Sequence, residues 1–178
     1  MKTTMTFGDA IREAIVKKMR EDPSVIIFGE DVGASGGTYG VSRGMQEEFG
    51  FLRVRDTPIS EAGFTGAAVG AAATGLRPIS EFMMLDFVGV AMDQVYNQAA
   101  KMRYMFGGKL SLPIVYRAAS GGGSSSAAQH SQSMEAWLTH VPGLKIVMPA
   151  TPQDAYGLML TAIEDNDPVF FLEHKMLY

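Results

Sequence analysis

Two kinds of segment alternate along the chain. Short, nearly unbroken apolar runs recur: Val25-Ile26-Ile27-Phe28, Leu52 with Val54, Ile79 to Phe82, Pro113-Ile114-Val115-Tyr116-Arg117, Lys145-Ile146-Val147-Met148 and Pro168-Val169-Phe170-Phe171-Leu172. Runs of this length predict strands buried in a parallel sheet. Helical signals lie between them. Phe7, Ala10, Ile11, Ala14, Ile15 and Met19 follow helical spacing after Thr6, with Asp9 as the acidic partner of the cap, and Pro23 ends the segment. A Gly-rich loop from Gly33 to Gly40 leads to a short helix over about Ser42–Phe49. The small-residue run Thr65–Ala73 predicts a helix ended by Gly75 and Pro78. Asp86 opens a long helix with a stripe of Phe87, Val90, Ala91, Val95, Ala99 and Met102, closed by Gly107-Gly108. Thr151-Pro152-Gln153-Asp154 starts the last helix, which runs to about Glu164. The alternation predicts an α/β fold: a mostly parallel, doubly wound sheet with helices on both faces and right-handed crossovers. There is no internal repeat and no linker, so residues 1–178 read as one domain.

Composition narrows the class. The chain has 178 residues, 47% of them hydrophobic, which is enough for a full core and unlike a disordered chain. Its net charge of −4 offers nothing to a phosphate backbone, so nucleic acid is a poor partner. It has no cysteine, hence no disulfide and no thiolate chemistry, which fits a cytoplasmic protein. The start, Met1-Lys2-Thr3-Thr4-Met5-Thr6, reads as the lead-in to an amphipathic helix and not as an apolar signal core. No apolar run approaches the roughly 20 residues of a membrane span. The thirteen methionines read mainly as core filler, with some placed at subunit contacts.

The other segments are arranged around Asp56-Thr57-Pro58-Ile59-Ser60-Glu61-Ala62-Gly63-Phe64. Pro58 stops a strand, and Ser60 stands as the N-cap of the following helix. Glu61 then falls in the first turn. One reading makes it a carboxylate stabilised by the helix dipole. The other makes it a functional acid at the carboxyl end of a strand, where open α/β sheets carry their ligands. Glu30 follows the first strand, Asp86 and Phe87 the third, and His130 the fourth, so they share that edge. Taken singly, Glu30-Asp31 can be a solvated turn, Phe87 a core residue and His130 a surface histidine. The constellation is more specific than its members. No Gly-x-Gly-x-x-Gly follows the first strand and there is no Walker loop, which argues against a flavodoxin-like or other nucleotide binder. Three histidines without cysteine give no metal-ligand spacing. Ser124–Ser126 lack the strained elbow and the orienting acid of a nucleophilic triad.

The motifs Gly29-Glu30-Asp31-Val32, Ser42-Arg43-Gly44, Asp56 to Phe64, Gly75-Leu76-Arg77-Pro78, Asp93-Gln94-Val95, Ala128-Gln129-His130-Ser131-Gln132, Pro142-Gly143-Leu144-Lys145 and Asp165 to Pro168 occur in that order. They resemble the β subunit of the thiamine-diphosphate-dependent first component of 2-oxo acid and acetoin dehydrogenase complexes. The resemblance is to that subunit's transketolase-like pyrimidine-binding domain. Leu85-Asp86-Phe87, Tyr104 to Lys109 and Glu173-His174-Lys175 look most like the acetoin branch. Pyruvate and branched-chain 2-oxo acid dehydrogenase β subunits are the alternatives, and a non-catalytic assembly module of the same fold is a further one.

The resemblance implies roles. Glu61 would hydrogen-bond the N1′ nitrogen of the cofactor's aminopyrimidine and promote the imino tautomer that deprotonates the thiazolium carbon. Ile59 and Ser60 would line that ring, with Phe87 stacking near it and Glu30 and Met83 in the cofactor pocket. Met83 stands where some branched-chain members have Gln. Met84, Leu85, Asp86, Phe87 and His130 would face substrate, with His130 as acid/base toward substrate and the incoming lipoyl group. Backbone carbonyls of Ile114, Ala162, Ile163, Asp165 and Asp167 match a potassium site of some relatives, with Asp167 in place of an Asn. The Gly-Asp-Gly motif that holds magnesium and diphosphate in the family does not occur. The implied partners are therefore an α subunit carrying that motif, in an α₂β₂ heterotetramer, and a lipoyl-bearing acyltransferase. The family's second β-subunit domain is not among these residues.

Overall fold

The computed structural model describes residues 4–178; Met1–Thr3, part of the lead-in considered above, lie outside the described residues. Six strands form one sheet in the order β2-β1-β3-β4-β6-β5: β1 Val25–Gly29, β2 Val54–Asp56, β3 Arg77–Phe82, β4 Val115–Ser120, β5 Lys145–Val147 and β6 Val169–His174. Every neighbouring pair is parallel. The helices are α1 Phe7–Glu21, α2 Met45–Phe49, α3 Glu61–Ala73, α4 Val88–Asp93, α5 Ala100–Met105, α6 Glu135–Thr139 and α7 Pro152–Glu164. None of the described helices is long and apolar enough to cross a membrane.

The apolar runs of β1, β3, β4 and β6 are buried on both faces because successive side chains point to opposite sides of a strand, whereas the edge strands β2 and β5 are largely open, with Leu52 and Met148 of their runs exposed. Val25, Ile27, Ile79, Val115, Val169 and Phe171 face one way, onto α1 and α7. Phe28, Phe82, Tyr116, Ala118, Phe170 and Leu172 face the other, onto α3, α4 and α6. Burying each large side chain of this kind contributes roughly 1.5–3 kcal/mol. Two helix starts form as their sequences predict. Thr6 accepts from the Asp9 N–H at 3.1 Å, and Thr151 accepts from the Asp154 N–H at 3.1 Å with Pro152 in the first turn.

The helical region after β3 differs from expectation. Asp86 does not open it; Leu85–Phe87 form a 3₁₀ turn, α4 starts at Val88, and a π-helical stretch, Gln94–Ala99, joins α4 to α5. The buried stripe is Val88, Ala91, Val95 and Ala99, while Val90 is 64% exposed. Val90 is two residues from Val88, about 200° around a helix, so it cannot share that stripe. The wider π turn adds a residue that a 3.6-residue period does not anticipate.

In the strand order, β1 lies between β2 and β3, so the chain leaves β1 for one side and returns on the other. At such a reversal the loops after two adjacent strands diverge and open a crevice at their carboxyl ends. Here those are the loops after β1 and β3.

Candidate active site

Close backbone approach builds the β1 side of the crevice. A side chain at Gly29 would place its Cβ 2.5 Å from the Glu81 carbonyl oxygen, so only glycine lets the ends of β1 and β3 meet there. The Gly33 N–H donates to Asp56 Oδ1 at 2.6 Å, and the Thr57 N–H donates to the Gly29 carbonyl at 2.9 Å. These bonds tie the loop after β1 to the turn that leads into α3. Glu61 is the first residue of α3 and is 8% exposed. Ser60 holds the N-cap position, but its hydroxyl makes no cap bond. Its backbone N–H instead faces Glu30.

Glu30 is 5% exposed, and its Oε1 has no hydrogen-bond partner. Burial, then the charge of Glu61, then that of Asp31 push its carboxyl above the usual range, and the Ser60 N–H offsets part of this. Two buried carboxyl groups close enough to repel, one with an oxygen that has no donor, form an acceptor-rich cluster. Ile59, fully on the surface beside them, forms the lip.

The β3 side carries the second cluster. Phe87 meets His130 edge to face, with ring centroids 5.3 Å apart and planes at 89°. His130 ends a 3₁₀ turn, Ala128–His130. Asp86 Oδ1 accepts from the Gln132 N–H at 3.0 Å, whereas its buried Oδ2 has no partner. Met84 is buried, and its sulfur accepts from the Tyr39 hydroxyl at 3.8 Å. Met83 is half-buried. Leu85 is fully buried in the core that contains Phe82, Val88 and Tyr116. The structure thus groups Glu30, Ser60 and Glu61 on one side, and Met84, Asp86, Phe87 and His130 on the other.

The potassium-type carbonyls lie elsewhere. Those of Ile163 and Asp165 accept from Arg77 Nη1 at 2.8 and 3.1 Å, and that of Ile114 accepts from the Val169 N–H at 2.9 Å. Among the described residues no three acidic or histidine side chains gather as a metal site. A groove of about 1000 Å³ runs between α1 and the start of α7 and includes Glu13, Lys17, Arg20 and Tyr156. It contains none of the carboxyl-edge residues Glu30, Glu61, Asp86, Phe87 and His130, and among the described residues it is lined by no unpartnered buried polar atom, so its size alone does not make it the reaction site.

Sequence reasoning missed a buried ion network below the crevice. Arg117 donates to both oxygens of Glu173, at 2.8 and 2.6 Å, and to Glu81 on its other side. The Tyr178 hydroxyl also bonds Glu173 and lies 3.5 Å from Arg117 Nη2. Burial alone would lower the Arg117 pKa, but Glu173 and Glu81 override it and keep the guanidinium firmly charged. The available signal was the charge itself: Glu81 and Arg117 stand next to apolar strand runs, and a charge buried in a sheet must be paired. Lys175, whose ammonium bonds the His130 carbonyl, carried no such signal.

An all-parallel six-stranded sheet covered by helices, with paired acids at its reversal point, defines an α/β domain of the doubly wound kind. The sequence profile of "Transketolase, pyrimidine binding domain" matches residues 3–178, and the chain belongs to that family. It is 53% identical to the acetoin:2,6-dichlorophenolindophenol oxidoreductase subunit beta of Bacillus subtilis (strain 168), an alignment that covers 100% of this chain and 56% of that one. It is 54% identical to the subunit of the same name from Cupriavidus necator, covering 95% and 53%. The pyruvate dehydrogenase E1 component subunit beta of Rhizobium meliloti is 52% identical over 98% of this chain and 38% of its own. The chain therefore spans about half the length, or less, of the curated relatives it matches. A solved "Split gene transketolase, inactive beta4 tetramer" superposes with a TM-score of 0.74 at 20% identity, over 95% of this chain and 50% of that one, a likeness of fold.

Proposed function

We propose that this chain is the cofactor-pyrimidine half of a thiamine-diphosphate-dependent enzyme of acetoin dehydrogenase type. That enzyme cleaves a C–C bond next to a carbonyl and delivers the acyl group to lipoamide. The names of two relatives at 53% and 54% identity support the acetoin reading. Pyruvate is the alternative substrate, supported by the Rhizobium relative at 52%. One observation carries the proposal: Glu61, buried in the first turn of α3, lies beside Glu30, whose inner oxygen is unpartnered. A merely structural module gains nothing from two repelling buried carboxylates.

The residues present fit the polar edge of an aminopyrimidine, because Glu30 and Glu61 offer carboxyl oxygens, one of them unpartnered, while Ile59 offers an apolar cover. Bound thiamine diphosphate supplies a carbon nucleophile and an electron sink. Glu61 holds and returns the proton at the ring nitrogen, a task suited to a carboxyl shielded from water. Burial and the neighbouring charge of Glu61 hold the Glu30 carboxyl above its usual range, so Glu30 keeps a proton more readily than a solvated glutamate. Ser60 and Met83 border the ring. His130 moves a proton at the substrate oxygen, its ring held edge-on by Phe87, and Met84 and Asp86 shape that side. Diphosphate and magnesium are held by an α subunit, which docks near the exposed small residues Ala62, Gly63, Ala67 and Gly70 of α3 in an α₂β₂ assembly. A lipoyl-bearing acyltransferase receives the product.

Glu61→Gln tests the assignment. Turnover of the assembled enzyme is expected to fall about 10²–10⁴-fold, the span of a lost general acid/base, with assembly intact. Near-normal turnover of the purified variant complex would remove Glu61 from the mechanism.

A further inference from the structure

Lys175 is a buried group that this chemistry leaves unused. It is 5% exposed and begins the short turn Lys175–Leu177 after β6. Among the described residues no carboxylate lies within ion-pair distance of its Nζ. The ammonium donates instead to the carbonyl oxygen of His130 and to the Met84 sulfur, at 3.6 Å for the latter. A buried ammonium without a carboxylate is unfavourable, so apolar packing alone would not select it.

What it holds explains the residue. The segment before His130 is glycine- and serine-rich and largely exposed, with positive φ at Gly121, Gly123, Ser125 and Ala127. Such a segment loses much conformational entropy on ordering. It is pinned at one place by the Gly121 N–H on the Gln132 carbonyl, at 3.1 Å, and by the Gln132 N–H on Asp86. Lys175 makes the bond to His130 itself. Its other partner, Met84, begins the turn that carries Phe87, and Phe87 packs on the His130 ring. One ammonium thus joins the His130 backbone to the Met84 side chain, beneath the Phe87–His130 contact.

We infer that Lys175 is a positioning residue for His130, fixing the turn Ala128–His130 against Met84 so that the imidazole stays over the crevice. The inference rests on the reading of His130 as the group that handles the substrate proton.

Lys175→Met keeps the stem and removes the charge and the donors. In the assembled enzyme, amide hydrogen exchange in residues 121–133 is expected to rise about tenfold or more while exchange in the sheet stays unchanged. Turnover is expected to fall about tenfold or more, with proton exchange at the thiazolium carbon still fast. On a His130→Ala background Lys175→Met is expected to add no further loss, because a residue that acts through another is non-additive with it. Unchanged exchange in residues 121–133, exchange raised throughout the chain, or additive losses would each overturn the inference. If His130→Ala alone leaves turnover intact, the acid/base reading fails, while the exchange result still decides whether Lys175 holds the turn. If Lys175→Met does not fold, Lys175→Gln takes the same measurements, and failure of both to fold assigns Lys175 to stability and overturns the proposal.

Discussion

Glu30→Gln should make the protein more stable, and the gain should depend on pH. The wild-type carboxylate is 5% exposed with an unpartnered oxygen, and burial, Glu61 and Asp31 hold its pKa above the usual range. The folded chain therefore binds this proton more tightly than the unfolded chain. Through the carboxylate range the folded state carries more protons, so stability falls as pH rises, and the loss is complete above the raised folded value. Glutamine removes the charge, keeps a carbonyl for the Ser60 N–H, and can donate to Glu61. Leaving a buried polar group unsatisfied costs about 1–3 kcal/mol. Solvent near the crevice mouth screens the repulsion, so the low end applies, ~1 kcal/mol. For a chain of this size that corresponds to a rise in Tm of about 2–4 °C. Thermal unfolding should be followed without cofactor, since bound ligand adds its own stabilisation. The advantage of the variant should be full near about pH 8 and should shrink toward about pH 4 as the wild-type carboxyl protonates. A variant that is less stable than wild type at neutral pH, or whose advantage does not change with pH, would refute the repulsive pairing of Glu30 with Glu61.

Two further predictions follow from other parts of the molecule. Arg117→Met leaves Glu81 and Glu173 buried without their cation and should destabilise the fold by about 3–5 kcal/mol, measured by urea unfolding. Its deficit should narrow on acidification as the carboxyls protonate, and a deficit independent of pH would show that packing, not charge, is what Arg117 supplies. Isolated from an α partner, the chain should bind thiamine diphosphate only weakly. The aminopyrimidine has about nine heavy atoms, and at roughly 0.3–0.5 kcal/mol each this gives ~3–4.5 kcal/mol, a millimolar affinity. Micromolar, magnesium-dependent binding in titration calorimetry of the chain alone would contradict the shared-site reading.

The sequence by itself determined the architecture. Apolar runs too short for helices, spaced by helical patterns, leave a parallel sheet covered on both faces as the arrangement that buries them, and each run overlaps an observed strand, although edge strand β2 takes only Val54 of its run and leaves Leu52 exposed. The caps at Thr6 and Thr151 were equally legible, because a cap is a local hydrogen bond between residues three apart. The carboxyl-edge residues were also readable as a set, since the end of a strand is marked by the sequence that stops it. Partners distant along the chain are not local information. The order β2-β1-β3-β4-β6-β5 places Glu30 beside Glu61 and sets Arg117 between Glu81 and Glu173, pairings 36 and 56 residues apart for the arginine. The π-helical stretch Gln94–Ala99 is a fault in periodicity, which a period-based reading cannot detect. Lys175 shows the same limit. Its sequence neighbours mark only the end of a strand, and its bond to the His130 carbonyl exists because β6 lies next to β4 in the sheet, bringing position 175 under a turn 45 residues away.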